Sequence, residues 1–182
     1  MEIKLVKTKK KNFFKELKLF KRNSFNDNRG SFGRIFCKNQ FKKAKIDFNP
    51  KQVNFSKNKF RGTIRGMHYQ DEKSKEAKLV TCLSGKILDV IVDIRKQSKN
   101  YLKYCSVILS KENNYVLYIP PGFAHGFQSM KSESDILYIH NQFFNKSIYR
   151  TLNPLDKKLK IKWPISKIII SKKDRNKKNF LK

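Results

Sequence analysis

The segment Lys86-Ile-Leu-Asp-Val-Ile-Val-Asp-Ile-Arg95 limits the possible folds more than any other stretch of this chain. Its even positions, Leu88, Val90, Val92 and Ile94, are all apolar, whereas the odd positions mix Ile87 and Ile91 with Asp89, Asp93 and Arg95. Side chains alternate across a strand with period two, so this is a strand with one wholly apolar face and one that carries charge. Similar runs occur at 78–83, 105–109, 115–119, 125–129 and 135–142. Turn residues separate them: Ser84-Gly85, Lys111-Glu-Asn-Asn114, Pro120-Pro-Gly122 and Ser132-Glu-Ser134. Strands recurring every roughly 8–12 residues between such turns specify an all-β sandwich or barrel and not βαβ units. The sequence has no internal repeat and no low-complexity linker, so residues 1–182 read as a single domain with its core over about 20–175.

The ends carry a weaker pattern. Phe13, Phe14, Leu17 and Phe20 fall at helical spacing within 11–20, and propensity alone predicts a helix there. The stretch 153–164 is irregular and closes on Trp163-Pro164, and the Lys-rich segment 172–182 looks solvated.

The chain holds 43 Lys and Arg against 14 Asp and Glu, a formal net charge of +29. Lysine is spread over strands, turns and both ends, with no zinc-finger spacing and no aromatic ribonucleoprotein motif, so no dedicated nucleic-acid partner is expected. A positive field still steers anionic small molecules toward a cleft. No apolar run approaches the roughly 18 residues of a membrane span, and the N-terminus lacks the apolar stretch of a secretory signal. Cys37, Cys82 and Cys105 are odd in number, scattered and outside any CxxC, which fits a reducing cytoplasm.

Three histidines stand out. His68 lies in Arg61-Gly-Thr-Ile-Arg-Gly-Met-His-Tyr-Gln70, where two glycines within five residues point to a bulge or a close backbone approach. On a regular strand Arg65 and His68 would face opposite ways, so both reach one cavity only through a kink at Gly66. His125 follows a turn in Pro120-Pro-Gly-Phe-Ala-His-Gly-Phe127, and Tyr138 and His140 share a strand face. The plain structural role for each His is a satisfied core or surface residue; for Asp89 and Asp93 it is ion pairing with Lys or Arg. No HxH pair with a following Glu is present, so no metal is expected.

Taken together, RGxxRGMHYQ, the PxGFAHGF motif of 120–127, Phe25-Asn-Asp-Asn-Arg-Gly30, Gln52-Val-Asn-Phe-Ser56, Lys78-Leu-Val, Leu137-Tyr138, Asn153-Pro-Leu-Asp156, Ile161-Lys-Trp-Pro164 and Ser171-Lys-Lys-Asp-Arg175 resemble the dTDP-4-dehydrorhamnose 3,5-epimerase family. The resemblance runs in order from about residue 20 to 175. It implies a cupin-like jelly roll (a double-stranded β-helix) with short C-terminal helical segments, strands in place of the helix at 11–20, no cofactor and a homodimer. It also implies a nucleotide-diphospho-4-keto-6-deoxyhexose substrate inverted at carbons 3 and 5. His68 matches the family's base, Asp174 its carboxylate partner, Tyr138 the opposing acid and Lys78 the group beside the keto oxygen. Arg29 and Arg65 match diphosphate ligands, with Gln52, Asn54, His125 and Arg175 also assigned to substrate. Phe143 and Phe144 stand where many members carry two Tyr against the nucleobase, Arg34 stands where some carry Glu, and His140 is unusual. A single-carbon epimerase or a ketoisomerase of the same fold on another nucleotide sugar, and a non-catalytic cupin-like module binding anionic sugars or nucleic acid, remain as alternatives.

Overall fold

The computed structural model of the chain describes residues 3–6, 13–71 and 74–176. Two six-stranded sheets pack face to face. The first runs β1 (Ile3–Val6), β2 (Lys18–Arg22), β10 (Tyr115–Ile119), β7 (Lys78–Ser84), β12 (Ser134–His140) and β5 (Gln52–Asn58). The second runs β13 (Tyr149–Thr151), β6 (Thr63–Gln70), β11 (Phe123–Ser129), β8 (Lys86–Asp93) and β9 (Tyr104–Ser110), with β14 (Ile169–Ile170) parallel to β6 beside β13. A separate hairpin pairs β3 (Ser24–Asp27) with β4 (Gly30–Gly33). This is the expected all-β jelly roll, and each of the six predicted strand segments forms a strand.

The helix that propensity predicts over 11–20 does not form in its described part: Phe13 and Phe14 lead through a turn into β2, whose Leu19 and Phe20 are buried. Residues 11 and 12 lie outside the described residues. Sheet pairing with β1 and β10 overrides the local helical spacing. The α-helix, α1 (Lys38–Lys43), instead covers the outer face of the first sheet through Phe41, packed with Phe20, Phe36 and Phe48. Toward the C-terminus the helical content is one 3-10 turn, Lys157–Leu159, among the described residues.

The faces of β8 invert the simplest expectation. Its charge-bearing face points into the sandwich, where Ile87 and Ile91 meet Val80, Cys82, Leu109 and Leu117. The wholly apolar face points outward and is covered by the C-terminal segment, with Val90 and Val92 against Leu152, Leu159 and Trp163. Both faces are therefore dry, and the two inward acids each have a side-chain partner. Asp93 takes the Arg95 guanidinium at 2.6 and 2.9 Å. Asp89 is paired with a histidine and not with Lys or Arg, a departure from its plain structural role.

Candidate active site

A cavity of about 430 Å³, within the range that holds small ligands, opens between the two sheets. From the second sheet it is lined by Arg65, His68, His125 and Phe127; from the first by Gln52, Asn54, Lys78, Tyr138 and His140; and at its rim by Glu76, Phe144 and Tyr149.

Gly66 brings the β6 residues to it. Opposite β11, Arg65 pairs with Phe127 and His68 with His125, so three steps on β6 match two on β11. The extra residue restores a common face to Arg65 and His68, as the two glycines predict. The strands approach so closely that a Cβ on Gly66, whose φ is +121°, would meet the Gly126 Cα at 2.5 Å. On β12 no such device is needed: Tyr138 pairs with Asn54 and Val80, and His140 with Gln52 and Lys78, successive rungs pointing inward.

The C-terminal segment supplies a partner for His68. Strand β14 runs along β6, and a turn capped by the Ser171 hydroxyl sets Asp174 beneath the ring. His68 Nε2 lies 2.8 Å from Asp174 Oδ1; an ionised carboxylate only accepts, so Nε2 carries a proton, and in the neutral ring Nδ1 holds the lone pair. Burial opposes the charge on Asp174, yet the hydrogen bond and charge of His68, with the Gly66 N–H and Ser171, hold its carboxyl below the usual value. The part of 172–182 that looks solvated thus buries Asp174 at 5% exposure; residues 177–182 lie outside the described residues.

His125 has a second carboxylate, with Nε2 2.5 Å from Asp89 Oδ1. The two histidines differ in access: the His68 side chain is 32% exposed and that of His125 5%, so His68 is the more open to a ligand, although both line the cavity. Tyr138, half-buried on the opposite sheet, faces the His125 ring edge-on at 6.0 Å. Burial, and then the Asp89 charge, push its phenol well above the ordinary tyrosine value, so it stays a proton donor. Lys78, enclosed at 6% exposure, forms an ion pair with Glu76 at 3.2 Å.

Among the expected ligands Arg65 reaches the cavity mouth, its Nε held by Asn58 Oδ1 at 2.8 Å. Gln52 and Asn54 line the wall and hydrogen-bond to one another. Phe144 lines the rim, whereas Phe143 stands outside under the Lys51 ammonium. Arg175 is exposed and does not line the cavity. Neither does Arg29, which sits on the β3–β4 hairpin, 91% exposed and paired with Asp27.

Glu76, Asp89 and Tyr149 belong to the site and escape a reading of the sequence. Asp89 had a signal in the odd-position alternation of β8. Tyr149, whose ring packs 5.5 Å from His68, and Glu76 lie outside any patterned segment. Among the described residues no three His, Cys, Asp or Glu side chains converge as a metal-ligand set, each imidazole being committed to a carboxylate.

A jelly roll whose cavity sets a carboxylate-backed imidazole across from a phenol held protonated has the pair of groups that proton transfer on a bound ligand requires. A family profile described as dTDP-4-dehydrorhamnose 3,5-epimerase matches residues 11–182. The dTDP-4-dehydrorhamnose 3,5-epimerase of Shigella flexneri is 40% identical over 166 residues, covering 90% of both chains. Two solved structures superpose closely. The Bacillus anthracis enzyme of that name, with TDP and PPi bound, gives a TM-score of 0.88 at 33% identity and covers 96% of this chain and 97% of its own. The Legionella pneumophila dTDP-6-deoxy-D-glucose-3,5-epimerase, in complex with dTDP-4-keto-L-rhamnose, gives 0.87 at 32% identity, covering 95% and 90%. The chain belongs to the dTDP-4-dehydrorhamnose 3,5-epimerase family.

Proposed function

We propose that His68, Asp174, Lys78 and Tyr138 carry the family's reaction, inverting carbons 3 and 5 of a dTDP-linked 4-keto-6-deoxyhexose. The supporting observation is that an accessible imidazole and a protonated phenol face one cavity from opposing sheets. His68 Nδ1 removes a proton from the carbon beside the ketone, and Asp174 stabilises the imidazolium formed. The C–H electron pair moves to the carbonyl oxygen, where the Lys78 ammonium meets the enolate charge. Such preorganised donors act where charge develops, in a site that excludes water. Tyr138 then gives its proton to the other face of the same carbon and is reprotonated from solvent. Delivery from the opposite wall is what makes the outcome inversion and not simple exchange.

Arg65 binds the diphosphate at the mouth, Phe144 stacks on the nucleobase, and Gln52, Asn54 and His125 hold the sugar. Phe143 and Arg175 stay as outer substrate contacts. The active form is a homodimer in which Arg29 serves the partner's cavity. Three features support this: Arg29 lies outside its own cavity, its hairpin exposes Phe25 and Phe32, and edge strand β5 exposes Val53 and Phe55. Mixing Arg29→Ala with His68→Ala chains then restores activity, because each mixed dimer holds one intact site. The cytoplasm is the matching compartment, as Cys37, Cys82 and Cys105 are all free thiols.

The deciding experiment is turnover of dTDP-4-keto-6-deoxyglucose in deuterated water, read by mass and NMR. Deuterium enters carbons 3 and 5. Wild-type protein that incorporates none from either dTDP- or GDP-linked 4-keto sugars overturns the assignment.

A further inference from the structure

Each of the three histidines gives one ring N–H to a carboxylate, but among the described residues only the carboxylate of His140 is shared with a second cation. His140 Nδ1 lies 3.0 Å from Glu76 Oε1, and Lys78 Nζ lies 3.2 Å from Glu76 Oε2. Gln70 Nε2 also donates to Oε1, at 3.2 Å. Two donors on one oxygen fix the carboxylate plane and turn the other oxygen toward Lys78. The far side of the imidazole is held as well: Asn54 Nδ2 stands 3.3 Å from His140 Nε2, and Gln52 Nε2 donates to Asn54 Oδ1. Gln52, His140 and Lys78 occupy one rung across β5, β12 and β7, and the His140 ring stacks at 6.2 Å on Tyr138. The Glu76 and His140 side chains are only 9% and 13% exposed, so little water competes for these bonds. Burial works against the Glu76 charge, but His140 and Lys78 outweigh it and hold the carboxyl down to about 2.

We propose that Glu76 and His140 are a positioning pair for Lys78: Glu76 ties the ammonium to the cavity wall, and His140 fixes Glu76 in the orientation that does so. The proposal rests on the epimerase assignment, in which Lys78 meets the enolate oxygen. A lysine reaches its target through four rotatable bonds, and one of its three ammonium hydrogens spent on Glu76 leaves two for substrate. Without the carboxylate, an enclosed ammonium is both unanchored and short of a counter-charge. Neither Glu76 nor His140 needs to touch the reacting atoms; both act through Lys78.

The test compares kcat, KM, deuterium exchange, dTDP binding and thermal unfolding for Glu76→Gln, His140→Ala, His140→Asn and His140→Gln. Asn places its amide near the Nδ1 position and keeps the link to Glu76, whereas Gln reaches the Nε2 position and keeps only the link to Asn54. Glu76→Gln is expected to lower kcat about 100-fold, the scale of losing one preorganised charge contact, with KM and dTDP affinity within about threefold. His140→Ala is expected to lower kcat about tenfold, with His140→Asn recovering most of the loss and His140→Gln none. Unchanged kcat in Glu76→Gln, equal rates in the three His140 variants, or losses that follow the unfolded fraction alone would overturn the pair. Wild-type exchange is measured in the same series: its absence removes the function assignment and this inference together, while its presence with insensitive variants removes the inference alone.

Discussion

The wall built by β6 and β11 and the wall built by β5, β7 and β12 hold polar groups over the same cavity by different means. On the first, a bulge at Gly66 breaks the strand period, and each imidazole has a carboxylate of its own from a distant segment, Asp174 or Asp89. On the second the β12–β7 register shifts only at Asp135/Ile136, away from the cavity, so the alternation over the cavity is unbroken: its rungs deliver Asn54 with Tyr138 and Gln52 with His140 and Lys78, and one carboxylate serves two cations. The irregular wall is therefore sensitive to backbone change, and the regular wall to charge. A proton-removing group needs a defined tautomer, which a dedicated carboxylate gives. A charge-stabilising lysine needs anchoring without losing all its donors.

Substitutions on the two walls separate these roles. The largest effect is expected for His68→Ala, with deuterium incorporation falling at least about 1,000-fold while dTDP binding by calorimetry stays near wild type. Retained exchange would place the base elsewhere. Tyr138→Phe on the opposite wall is expected to lower net epimerisation about 100-fold, while exchange returned to the same face by His68 falls less. Equal losses of product and exchange would remove the distinction between the walls. Gly66→Ala tests the bulge: the added Cβ collides with β11 at a positive φ, so stability in urea should fall by about 1–3 kcal/mol, with kcat falling beyond the unfolded fraction. No comparable loss is expected for Lys21→Ala, exposed on β2 of the sheet that carries the regular wall.

The smallest effect concerns acid. Glu76 is held at about 2 against an ordinary 4.5, so it stabilises the folded chain above about 4.5 and loses that contribution as pH falls toward about 2. Asp174, also depressed, behaves with the same sign below its ordinary 3.8. In urea unfolding, the gap between wild type and Glu76→Gln should be widest near neutrality and close through that acid window. A gap independent of pH would mean that Glu76 contributes shape alone.

How much was legible follows the same division. Tyr138 and His140 were placed on one face by alternation, and Lys78 opened a patterned strand. Arg65 with His68 could share a cavity only if Gly66 broke the period, a condition stated by the sequence and met by the fold. Resemblance, not pattern, pointed to Asp174 within a Lys-rich tail, because nothing local shows that the segment packs along β6. Glu76 and Tyr149 carried no signal, since their importance lies in neighbours distant in sequence, His140 and His68.

By itself the sequence determined the central strands from β7 to β12, their turns and the faces of β12, because period and turn chemistry act over a few residues. Tertiary structure alone decided that the charged face of β8 turns inward, that the hairpin carrying Arg29 stays clear of its own cavity, and that each histidine meets its carboxylate. Those outcomes depend on which buried charges find partners and which apolar faces find cover, and both are settled only when segments far apart along the chain pack together.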